Sequence, residues 1–98
     1  MIVTKTVFTG PLVGDVEPTV EMIQARKDNY ERRSLRAIEI AGPEFQYASH
    51  DPTFEVDQER GLRVDTRYRT WPDRVAAEQW VTYMLEEGAE SCTIEENA

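Results

Sequence analysis

One cysteine and one histidine, Cys92 and His50, are all that this 98-residue sequence holds of either type. No intrachain disulfide can form, and one chain cannot assemble a Cys/His zinc site. Lysine is nearly as scarce. Nine of the eleven basic residues are arginine, and acids outnumber them to a formal net charge of −8. Such an excess is repelled by nucleic-acid backbone and by anionic membrane, so neither is an expected direct partner. No stretch approaches the roughly 20 apolar residues of a membrane span, and no basic-then-apolar leader precedes the first predicted strand. With its lone thiol, the chain is expected in the reducing cytoplasm.

Motifs for cofactors and catalysis are missing as well. The segment GPLVG lacks the Lys-Ser/Thr of a phosphate loop, and no G-x-G-x-x-G occurs. Counted as a twelve-residue calcium loop, Asp51 would put Val56 and Asp57 would put Leu62 where glycine is required. There is no G-x-S-x-G elbow. Neither a metal nor another cofactor is called for.

What is present has the balance of an ordinary folded domain, with 40% hydrophobic and 31% charged residues. Residues 1–98 are expected to form a single α+β domain. Repeats and low-complexity tracts are lacking. Charge is blocked along the chain: two cationic islands, 26–36 and 60–74, interrupt an otherwise anionic sequence.

In MIVTKTVFT, Ile2, Thr4, Thr6 and Phe8 alternate with Val3, Lys5, Val7 and Thr9, which predicts a central strand covered on both faces. Pro18 suits the first turn of a helix over 17–33, where Val20, Ile23 and Tyr30 form an apolar stripe. SLRAIEIA reads as a second strand, or as a continuation of that helix. TFEVDQERGLRVDTRYRT predicts a hairpin around the loop Glu59-Arg60-Gly61, placing Asp57 opposite Arg63 and Glu55 diagonal to Arg67. A second helix is announced by Thr70, Pro72 and Asp73, and by a stripe of Ala76/Ala77, Trp80/Val81 and Met84/Leu85. Gly88 is its stop. SCTIE closes as a strand.

The predicted order is β-α-β-β-β-α-β. It describes a ferredoxin-like two-layer sandwich, with both helices on one face of a mostly antiparallel sheet.

Arg63, Arg67 and Arg69 share a strand face opposite in parity to Leu62, Val64 and Tyr68. If the apolar side faces the helices, those arginines and Trp71 lie on the open side, suited to a small anionic ligand. The competing expectation is neutralisation within the sheet by Asp57, Asp65 and Glu55. The first island, with Arg26, Lys27, Arg32, Arg33 and Arg36, reads as a solvated helix face. Glu86, Glu87 and Glu90 crowd a helix C-terminus, where negative charge is mildly unfavourable, and present an acidic surface to a basic protein partner. Cys92 reads as a small buried hydrophobe.

The leading expectation is a non-catalytic binding or interaction module. Two other readings fit the same residues. One is a cofactor-free small-molecule enzyme with a pocket of the dimeric α+β barrel kind, using Tyr47, His50 and Tyr68 as acid/base groups. The other is an acidic decoy that inhibits a nucleic-acid-binding protein. Val3, Val7 and Trp71 among the arginines would make the open face a homodimer surface.

Overall fold

The computed structural model describes residues 2–11, 19–45 and 53–96. In chain order these form β1 (Ile2–Pro11), α1 (Val20–Ala41), β2 (Thr53–Asp57), β3 (Leu62–Trp71), α2 (Arg74–Glu86) and β4 (Ser91–Glu96). The strands make one sheet in the order β2-β3-β1-β4, with every neighbouring pair antiparallel. This is the expected two-layer α+β arrangement, with six elements rather than seven.

The element that disappears is the predicted strand at 34–41, which is the second half of α1. Thr19 caps that helix, its Oγ1 accepting from the Met22 N–H at 3.1 Å, and Gly42 ends it at φ +91°. No breaker stands between the two caps. Ala37 is buried, and Ile40 and Ala41 pack beside it in the core. Ile38 and Ile40 alternate like a strand, but Ala37 and Ala41 repeat like a helix, and contact with α2 decides in favour of the helix.

The hairpin is also one residue out of its predicted register. Its turn takes four residues, 58–61, with Gly61 at φ +64° in the left-handed conformation expected of it. Asp57 faces Leu62, not Arg63, and Val56 faces Arg63. The Asp57 carboxylate closes this turn, accepting from the Arg60 backbone N–H at 3.1 Å and from its Nε at 2.6 Å. A slip of one residue turns a whole strand over, so Phe54 and Val56 move to the side that carries the arginines.

Residues directly opposite in an antiparallel ladder share a face. Thr4 and Thr6 therefore lie with Arg69 and Arg67 on one neighbour and with Ile94 and Cys92 on the other. This is the helix-covered side. Trp71 and Trp80 pack ring to ring at 5.1 Å, and Ala76, Ala77, Trp80 and Met84 bury the inner stripe of α2. Trp71 Nε1 donates to Thr4 Oγ1 at 2.9 Å, so the largest buried side chain of the sheet keeps its polar atom satisfied.

The arginine face is consequently inward, and the sequence expectation that placed it outward is corrected. Val3, Lys5, Val7, Val64 and Tyr68 form the opposite face instead. Trp71 settles the choice because it has the parity of Arg63, Arg67 and Arg69. Burying an indole is worth roughly 4–6 kcal/mol, from about 150–250 Å² at some 25 cal/mol per Å².

Asp73, rather than Thr70, caps α2, its Oδ1 accepting from the Ala76 N–H at 2.8 Å. Thr70 belongs to β3. At 1.5 Å per residue α1 is roughly 33 Å long and α2 roughly 20 Å. Among the described residues α1 packs chiefly through its C-terminal half, while residues 20–28 are exposed. Among the described residues, no helix is long and apolar enough to cross a membrane.

Candidate binding surface

The three arginines of β3 meet three different fates. Arg69 lies with its guanidinium 4.9 Å from the Trp80 ring centroid, inside the sandwich. Arg67 holds Asp65, two residues back on the same strand, at 3.0 Å. Arg63 stacks over Phe54 at 5.1 Å, an arrangement made by the register slip. The expected pairing within the sheet is thus found for Arg67, with Asp65 as its acid. Trp71 is 3% exposed and cannot stack on an outside ligand while the core is intact.

The glutamates at the end of α2 are mostly engaged within the molecule. Glu87 accepts from Arg32 Nε at 2.9 Å and from Tyr83 Oη at 2.9 Å, with Arg33 at 3.6 Å. Partial burial works to raise the Glu87 pKa, but the hydrogen bonds from Arg32 and Tyr83 outweigh it and hold the carboxyl below its ordinary value. Glu90 pairs with Arg60, tying the α2–β4 connection to the hairpin turn. Arg60 also holds Asp57, whose pKa is lowered chiefly by that side-chain hydrogen bond. Glu86 is exposed and makes no ion pair among the described residues.

Cys92 is buried, its Sγ 3.2 Å from Thr6 Oγ1, and burial pushes its thiol pKa up. That is the inert hydrophobe expected of it. Tyr68 lies on the sheet face turned away from the helices, paired with Lys5. Tyr47 and His50, the other acid/base candidates, lie outside the described residues.

Two features were not anticipated. The first is the overhang of α1. Val20, Ile23, Lys27 and Tyr30 continue the stripe on which Ala37 and Ala41 pack, yet Val20 is 78% and Tyr30 67% exposed. The predicted apolar stripe is real in spacing, and among the described residues its N-terminal part packs against no core side chain. Phe54 and Val56 of β2 are also exposed.

The second is a groove of about 250 Å³ lined by Phe8, Thr9, Gly10, Pro11, Arg26, Arg63 and Asp65. It brings the two cationic islands together, one arginine from each. Arg33 adds a third guanidinium 4.6 Å from the Phe8 ring centroid. Both islands were visible in the sequence. Their meeting depends on how α1 crosses the sheet, which no local signal encodes. Family models, curated proteins and solved structures were each compared with the chain, and none matches.

Proposed function

We propose that this chain is a non-catalytic binding module that engages a partner protein through the overhanging face of α1. The observation that carries the reading is the 22-residue α1, in which Ala37 alone is buried. A helix gains most of its stability from packing an apolar face, and here the apolar stripe outruns its support. Exposed contiguous apolar surface of this kind marks an interaction site.

Charge narrows the partner. Lys27 lies within the exposed stripe and Arg26 beside it, whereas Glu87 and Glu90 of the opposite end are held by Arg32 and Arg60. A partner presenting apolar side chains with acidic neighbours therefore complements this surface better than a basic one does. The two-layer sandwich would act as the base that holds α1 out.

A photo-crosslinking residue at Ile23 or Tyr30 should capture one discrete partner, and the same residue at Gln79 on α2 should not. Lys27→Glu should reduce the yield at Ile23 severalfold. Equal capture from Gln79, or indifference to Lys27→Glu, would remove α1 as the docking face.

A further inference from the structure

We propose that the groove between α1 and the β1–β3 end of the sheet is a binding site for a small multiply charged oxyanion, gripped between Arg26 and Arg63. The site is separate in kind from the protein-docking face, because its ligand is a small molecule and its determinants are two guanidinium forks.

The argument starts from the charge balance. The chain has 19 acids to 11 bases, so a carboxylate is available to nearly any arginine that can reach one. Arg32, Arg33, Arg36, Arg60, Arg67 and Arg74 all have one within 4 Å. Arg26 and Arg63 make no ion pair among the described residues, and both line the same groove. Arg63 stacks over the Phe54 ring.

The acid that also lines the groove does not cancel them. Asp65 is held by Arg67 through Nη2 at 3.0 Å and Nε at 3.3 Å. Its charge is satisfied from outside the groove, leaving Arg26 and Arg63 as net positive charge there. Phe8 supplies an apolar wall, and among the described residues nothing lies within 4 Å of the place a Cβ on Gly10 would take.

Guanidinium is a planar fork that meets carboxylate or phosphate through two parallel hydrogen bonds, and two such forks favour an anion carrying more than one charge. A volume of about 250 Å³ lies just below the range of roughly 300–1,000 Å³ typical of drug-sized ligands, so it fits a compact anion.

The test uses the purified chain at low salt, titrated separately with inorganic pyrophosphate and with citrate while the Gly10 amide resonance is followed. Saturable one-to-one binding of at least one anion is expected, with Gly10 among the most shifted amides. Pyrophosphate and citrate separate a phosphate ligand from a carboxylate one. Arg26→Gln and Arg63→Gln should each weaken binding at least tenfold, while Lys27→Gln and Arg74→Gln leave it within twofold. Absence of saturation with both anions overturns the proposal. So does an equal loss in Lys27→Gln, which would show only general attraction to a cationic helix. Since no partner protein is present, neither result bears on the docking face of α1.

Discussion

Trp71 shows how one residue can govern a sheet. Its indole N–H is donated to Thr4, whose hydroxyl lies fully buried and also reaches the Arg69 carbonyl at 3.4 Å. Replacing Thr4 by Val keeps the shape and strands the indole donor. An unsatisfied buried donor costs about 1–3 kcal/mol, so urea denaturation of Thr4→Val should show that loss at an unchanged m-value. A loss of only a few tenths would mean that water reaches the indole. The same residue explains what was legible at this scale. The parity of Trp71 with the arginines is plain in the sequence, but Leu62, Val64 and Tyr68 offered an equally regular apolar face. Choosing between them required weighing one large aromatic against three smaller groups, and the aromatic wins.

Among the elements, α2 was readable in its stripe and its stop at Gly88, while its cap fell three residues later than the Thr70 box suggested, on Asp73. For α1 the caps were less clear, since its C-terminal half earns its conformation from contact with α2. The two helices are joined at their edge by Glu87, which binds Arg32 and Tyr83. Because the folded Glu87 pKa lies below its ordinary 4.5, the pair stabilises the fold above that value. The contribution is lost as pH falls through the lowered folded pKa. Protection factors of the α1 amides, taken against the intrinsic exchange rate at each pH, should therefore fall on acidification below about pH 4.5, within the usual carboxylate range. Glu87→Gln should show lowered protection already at neutral pH and a smaller further fall in acid. If the variant shows the same acid response as the parent, the junction is held by apolar packing alone.

Taken whole, the molecule separates its charges along the chain and then reunites the positive ones in space. That reunion was out of reach of pattern reading, as was the hairpin slip that set Phe54 under Arg63. The sheet order leaves β2 and β4 at its two margins, neither paired on its outer side among the described residues. Unpaired margins invite copies to add strand to strand and grow into aggregates. Here β2 carries Glu55 and β4 carries Glu95, besides Asp57 and Glu96, which Arg60 and Arg74 hold. Any two copies meeting edge to edge would set carboxylate against carboxylate, so the acidic excess doubles as a guard against fibre growth. Glu55→Gln combined with Glu95→Gln should raise light scattering at neutral pH, whereas equal scattering from parent and variant would show that the margins are protected by something other than charge.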